Sequence, residues 1–257
     1  MKVKLVCIAT RKYTQYIDQF IVSAKKYFFP YDDVNVVIFS DTPSLNVGLQ
    51  QQRPDHYDSQ FEREFTVTDV KIHSYGFPEA TLLRYRIFSE HSLYLLGSDY
   101  VFYADIDSTF VDYVGHDDEL SEYIREARYA KLFCTRHPGF WNGTTGSWET
   151  NEKSLSYVTP ASRAPFYAAG GFVGGSYTEF LNLSGVCSEL ILGDLRKEIT
   201  AQWHDESALN KYISCINTKV SFLAPAYVYP EERPDWFTWQ GTPRILALKK
   251  NHEEIRS

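Results

Sequence analysis

The run Phe102-Tyr103-Ala104-Asp105-Ile106-Asp107 is apolar until it stops at two carboxylates one residue apart. Side chains alternate in an extended chain, so Asp105 and Asp107 point to one side of a strand's end. Two hard oxygen donors there suit Mg²⁺ or Mn²⁺, and such an ion can hold a diphosphate. On spacing alone, a solvated strand-to-turn junction is the commoner origin of such a pair, because Asp often starts turns. A second group, Trp203-His204-Asp205-Glu206-Ser207, opens the helical stretch Ala208-Leu209-Asn210-Lys211-Tyr212. A helix cap accounts for one acidic residue. Glu206 is left over, and Trp, His, Asp and Glu together offer a sugar-stacking ring beside hydrogen-bonding and charge-stabilising groups. An oxocarbenium-like transition state, as in glycosyl transfer, needs such a carboxylate near the anomeric carbon. A third group joins His137-Pro138-Gly139-Phe140-Trp141 to Ala169-Gly170-Gly171-Phe172-Val173-Gly174-Gly175. Its glycine pairs permit close ligand approach that a Cβ would block. A plain glycine-rich turn meets the same pattern, and neither a P-loop lysine nor a dinucleotide fingerprint accompanies it. His137 by itself is more often a hydrogen-bonded structural residue than a catalyst.

These groups need a scaffold, and hydrophobic periodicity supplies one. Residues 3–9 read as a buried strand, followed by a helix carrying Tyr13, Ile17, Phe20, Ile21, Ala24 and Phe28 at three- and four-residue spacing. Strands are expected at 34–40, 65–73 and 99–104, a long polar loop at 41–63, and a helix over roughly 78–95 opened by Pro78. The second half predicts a strand at about 130–135, a segment rich in glycine and aromatics over 138–177, and a helix across 177–195. Another helix starts near Asp205, and a strand lies near 219–224. Alternating strands and helices favour an α/β fold with a mainly parallel sheet flanked by helices. Such sheets bind nucleotides at the carboxyl ends of their strands. With no repeat or low-complexity linker, one continuous domain is the simplest organisation, with the substrate loops after residue 135.

Composition narrows the partners. The 257 residues hold 26 Lys plus Arg against 33 Asp plus Glu, a net charge of −7, and 44% are hydrophobic. The chain can bury a sizeable core, which excludes disordered and fibrous classes. The acidic balance argues against a broad footprint for nucleic acid or anionic lipid. An anionic ligand must therefore be met locally, by a metal or a few placed cations. Cys7, Cys134, Cys187 and Cys215 lie far apart without a CxxC pair, which predicts isolated buried thiols in a reducing compartment. The N-terminus lacks a signal-peptide pattern, and no apolar run approaches about 18 residues. The expectation is a cytoplasmic protein with no membrane span.

The ordered set DID, HPGFW, FYAAGGFVGGS, WHDESALNKY and KKNHEEIR resembles family 6 glycosyltransferases over nearly the whole chain. The resemblance implies a GT-A fold and retaining α-1,3 transfer of galactose or N-acetylgalactosamine from the UDP-sugar to an acceptor galactose. By position, Asp105 and Asp107 would hold Mn²⁺ (or Mg²⁺) against the diphosphate. Ile8, Ala9, Thr10 and Tyr13 would line the uridine pocket, and Arg84 matches a donor-binding arginine. Asp205 would hydrogen-bond the donor sugar beside Ala169, Gly170 and Gly171. Glu206 would stabilise or covalently trap the anomeric centre, while His137 and Trp203 would shape the acceptor side. Lys250 and Arg256 match basic residues that close over the diphosphate. The implied division is about 1–110 for UDP, about 111–247 for donor sugar and acceptor, and 248–257 as a tail. That tail has little apolar surface and is expected to be mobile until UDP orders it. Gly171 and Gly139 match the N-acetylgalactosamine-using type, since small residues leave room at the sugar's second carbon.

Two departures qualify the likeness. Trp148-Glu149-Thr150-Asn151 stands where animal members carry an acidic residue and two arginines, so their acceptor preference does not transfer. Without the animal enzymes' anchor and stem, the sequence is expected to be a catalytic domain of microbial or viral type. Two other classes compete with the transferase. A non-catalytic sugar- or UDP-binding module on the same fold would not need the leaving-group cations Lys250 and Arg256. A glycoside hydrolase would need Asp205 and Glu206 to face each other across a glycosidic bond, whereas neighbours on a helix point about 100° apart.

Overall fold

Runs buried on both sides read as continuous apolar stretches, and the first of them sits at the heart of a twisted sheet. A computed structural model describes residues 1–42, 63–126, 132–143, 145–216, 220–251 and 255. Its strands are β1 (Lys2–Ala9), β2 (Asp33–Ser40), β3 (Phe65–Lys71), β4 (Tyr100–Ala104), β5 (Ser108–Phe110), β6 (Leu132–Arg136), β7 (Ala168–Ser176), β8 (Val220–Leu223), β9 (Tyr229–Pro230) and β10 (Ile245–Ala247). Seven form the main sheet in the order β3-β2-β1-β4-β7-β6-β8, and β5, β10 and β9 form a small second sheet. Every neighbouring pair of the main sheet is parallel except those made by β7, which runs antiparallel to both β4 and β6. The expected mainly parallel sheet is therefore present. Most of the expected 41–63 loop, and parts of the tail that include Arg256, lie outside the described residues.

The helices are α1 (Ile17–Tyr27), α2 (Glu79–Leu82), α3 (Arg84–Glu90), α4 (Glu119–Glu126), α5 (Tyr177–Leu195) and α6 (His204–Ile216). One core packs Val6, Tyr85, Phe88, Leu183 and Leu209 between the sheet and α3, α5 and α6. The other packs Leu5, Phe20, Phe28, Phe102 and Phe172 beneath α1 on the opposite face. The single helix expected over 78–95 is instead α2, α3 and a 3₁₀ turn at Ser92–Leu95. Leu83, at φ −96° and ψ 5°, breaks it, and tertiary contacts of the buried Arg84 outweigh local helix propensity there.

The glycine-rich stretch, where no strand was expected, is the interior strand β7. A Cβ at Gly174 would lie 2.1 Å from Phe102 Cδ1, so glycine is what lets that ring lie across the strand. Phe102 stacks on Phe133 and Phe172, and Phe172 on Tyr227, so rings from neighbouring segments cover β7. Pairing with β6 jumps between Cys134, opposite Val173, and Thr135, opposite Ala169. Gly170, Gly171 and Phe172 are thereby released from the β6 ladder, and bulges of this kind commonly re-aim backbone groups beside active sites. Cys7, Cys134 and Cys187 are buried as expected, whereas Cys215 is exposed. Among the described residues no helix is long and apolar enough to cross a membrane.

Candidate active site

The backbone freed by the bulge is what the site is built on. Gly170 N–H donates to Glu206 Oε2 at 2.9 Å, and Gly170 O accepts from Arg84 Nη1 at 2.8 Å. Asp105 N–H donates to Gly171 O at 3.0 Å, and Thr135 Oγ1 to Phe172 O at 2.9 Å. One bulge thus couples the end of β4, the head of α3 and the head of α6.

Arg84 is the hub of that coupling. It is 6% exposed, and its Nε lies 3.0 Å from Asp205 Oδ2 while Nη2 lies 3.5 Å from Asp105 Oδ1. Its guanidinium also sits over the Tyr103 ring, whose hydroxyl donates to Asp105 Oδ1 at 2.5 Å. Burial works against the charge, yet Asp205 and Asp105 hold Arg84 more firmly protonated than usual. Asp205 is turned inward, 2% exposed, and burial outweighs Arg84 to push its pKa up to about 7. Burial likewise raises Glu206 to about 7, opposed by the Gly170 N–H and by Tyr167. Asp205 Oδ2 has no hydrogen-bond partner among the described residues despite its ion pair, which leaves a buried acceptor unsatisfied.

α6 is held in place from outside its own sequence. Glu149, 5% exposed, accepts the N–H groups of Gln202 at 2.6 Å and Asn151 at 2.7 Å. Trp203 N–H donates back to Ser207 Oγ at 3.1 Å. The acidic residue of the Trp148-Glu149-Thr150-Asn151 segment thus anchors the turn that leads into Asp205 and Glu206.

Two cavities flank this frame. The first is lined by Ile8, Thr10, Tyr13, Arg84, Asp105, Asp107 and Lys250 among the expected residues. Arg11, Tyr75, Phe77 and Ile255 join them without having been singled out by the sequence. Ala9 does not reach it; its methyl is fully buried in the core below, because alternation along β1 turns it to the other face. Lys250 Nζ pairs with Asp107 Oδ2 and lies 5.4 Å from the Tyr13 ring centroid. The tail is pinned rather than loose up to that point: Leu248 N–H donates to Asp107 O at 3.0 Å and Lys249 N–H to Glu231 Oε2 at 2.7 Å. β10 explains this, since its pairing with β5 and β9 carries the chain directly to Lys250.

The second cavity is lined by Asp105, His137, Ala169, Gly171 and Glu206, so Asp105 faces both. His137 Nδ1 accepts the Gly139 N–H at 3.1 Å, which leaves the ring proton on Nε2. Burial pushes its pKa down to about 4, and the ring is neutral at physiological pH. Gly170 and Asp205 lie behind the wall as its supports. Trp203 does not line either cavity; its side chain is 48% exposed at the head of α6. Trp236, which no sequence signal marked, lines the second cavity instead.

Among the described residues no group of three or more His, Cys, Asp or Glu forms a metal cage. Two carboxylates alone still fit a divalent ion of the kind that takes its remaining ligands from water and substrate phosphates.

The model of glycosyltransferase family 6 matches residues 1–257. Histo-blood group ABO system transferase 1 of Rattus norvegicus is 30% identical over 98% of this chain and 68% of its own length. Globoside alpha-1,3-N-acetylgalactosaminyltransferase 1 of Gallus gallus is 25% identical over 100% of this chain and 70% of its own. O-antigen biosynthesis glycosyltransferase WbnI of Escherichia coli is 24% identical over 90% of this chain and 89% of its own. A family match over every residue, joined to a sheet that carries the site at its carboxyl ends, makes the chain a hexosyltransferase that belongs to glycosyltransferase family 6.

Proposed function

We propose that the protein moves N-acetylgalactosamine, or galactose, from its UDP-sugar to a galactose-containing glycan in α-1,3 linkage with retention of configuration. The observation that carries this reading is the Arg84-centred frame, which holds Glu206 at the wall of the second cavity and buried Asp205 behind it. The first cavity takes UDP, with Ile8, Thr10 and Tyr13 at the nucleoside end and Lys250 at the diphosphate. Asp205, turned onto Arg84 Nε behind the wall, acts on the donor sugar through the guanidinium it holds rather than by its own contact. Glu206 supplies negative charge where the anomeric carbon becomes positive, and Gly170 N–H fixes its orientation. His137, neutral with its proton on Nε2, donates to a sugar hydroxyl in the second cavity.

Asp105 and Asp107 would hold the divalent cation, which when bound supplies positive charge to the diphosphate leaving group. Lys250 pairs with Asp107 in the same place, which supports that carboxylate as a cation-binding position.

Donor choice rests on Gly171. A Cβ there would lie 3.0 Å from Val228 Cγ1 and 3.2 Å from Asp105 Oδ2, so glycine keeps open the space an N-acetyl group needs. Kinetics with UDP-N-acetylgalactosamine and UDP-galactose on galactosyl acceptors, with and without Mn²⁺, test the reading. The expected result is a preference for N-acetylgalactosamine within the roughly 10- to 200-fold of steric selection, moved toward galactose by Gly171→Ala, and loss of transfer in excess chelator. Full activity in chelator would remove the metal, and a galactose preference in the wild type would overturn the donor assignment.

A further inference from the structure

Trp236 is a large apolar ring that the fold leaves in view. It is 57% exposed, although the residues on either side of its segment are tightly held. Phe237 is 3% exposed and packs edge-on against Tyr229 at 4.9 Å. Phe237 N–H closes a turn onto Pro234 O at 2.9 Å, and Arg233 Nη2 donates to Trp239 O at 3.0 Å. Trp141 Nε1 bonds Thr238 Oγ1 at 3.1 Å, which ties this turn to the loop bearing His137 and Gly139. The indole is thus presented by a braced turn.

Its position is specific. Trp236 lines the second cavity with His137, Gly171 and Glu206. A Cβ at Gly139 would stand 3.5 Å from Trp236 Cζ3, in ordinary contact, so the ring covers that glycine closely. The cavity therefore has an aromatic wall on one side and, on the other, a neutral imidazole donor and two carboxylates.

We infer that Trp236 is the stacking platform for the acceptor sugar, a specificity-determining residue that this chain supplies from the 233–239 turn. This rests on the transferase reading of the same site and adds to it the acceptor's orientation. A hexopyranose with an axial hydroxyl at its fourth carbon gathers its C3, C4 and C5 hydrogens on one face. Such weakly positive C–H groups fit the negative face of an indole. The opposite hydroxyl edge then meets His137 Nε2 and Glu206. A hexose lacking the axial hydroxyl breaks up that apolar face and stacks less well. Trp203, lining neither cavity, offers no equivalent surface.

The test compares Trp236→Ala and Trp236→Phe with the wild type, using a galactose-terminated glycoside and UDP-N-acetylgalactosamine. Trp236→Ala is expected to raise the acceptor KM about tenfold, against a donor KM within about twofold, and Trp236→Phe to recover most of the loss. In a separate readout, methyl β-galactoside bound beside UDP is observed by NMR while the aromatic protons of the protein are saturated. Transfer of saturation is expected to be strongest at H3, H4 and H5 and to weaken in Trp236→Ala. An unchanged acceptor KM in Trp236→Ala, or donor and acceptor KM rising together, overturns the platform while leaving the transferase intact. A wild type that neither transfers from nor hydrolyses any UDP-sugar overturns the transferase reading, and the platform with it.

Discussion

Glu206 and Asp205 are adjacent in sequence but do different things, because one faces the second cavity and the other is folded back onto Arg84. Glu206→Gln keeps the shape and the Gly170 contact while removing the charge. Turnover should fall roughly a hundredfold or more with UDP affinity nearly unchanged, as calorimetry beside transfer kinetics would show; an unaltered rate would take Glu206 out of the chemistry. The same burial has a consequence for stability. Both carboxylates bind their protons more tightly in the folded chain, where burial raises them to about 7 from 3.8 and 4.5. Their favourable contribution is complete below those unfolded values and is lost as pH rises through about 7. Melting temperature should therefore decline between about pH 4 and pH 7, and Glu206→Gln should flatten the decline. A variant whose pH slope equals that of the wild type would contradict the burial of that charge.

The elements explain why these side chains meet. β7 reverses direction between β4 and β6, and its bulge gives Gly170 and Gly171 to Arg84, Glu206 and Asp105. Gly174→Ala should cost about 1–3 kcal/mol in urea denaturation, since a methyl there meets the stacked Phe102 ring; a neutral result would mean that the ring moves aside freely. The strands β1, β2, β4 and β6 were legible because apolar runs buried on both faces leave a plain pattern. β7 was not, because its covering comes from Phe102, Phe133 and Tyr227 in other segments rather than from its own side chains. The break at Leu83 was hidden for a similar reason, as long-range partners of Arg84 outweigh helix propensity. Short motifs marked side chains that the fold brings to the candidate site, such as Asp105, Asp107 and Glu206, because polar chemistry concentrated at an element's end stands out from its apolar surroundings. Trp236 escaped because one tryptophan between Asp235 and Phe237 has no spacing that distinguishes a platform from a core residue.

At the scale of the whole molecule, the net charge is −7, and the small sheet carries one cation, Lys250, to the first cavity. Removing residues 248–257 should leave the circular dichroism of the sheet unchanged and weaken UDP binding at least about tenfold; equal affinity would show the tail to be no part of the pocket. Lys250 and Asp107 are also 143 positions apart, and that separation is a matter of time as well as distance. A ribosome adding about 5–20 residues per second needs roughly 7 to 29 s to travel from one to the other. During that interval the nascent chain has made its first strand and both acidic residues, but not the lysine that answers Asp107. The floor of the first cavity is an early product of synthesis and its last wall a late one. Nucleotide capture by arrested chains of increasing length should thus begin only after the β10 segment and Lys250 have left the ribosome.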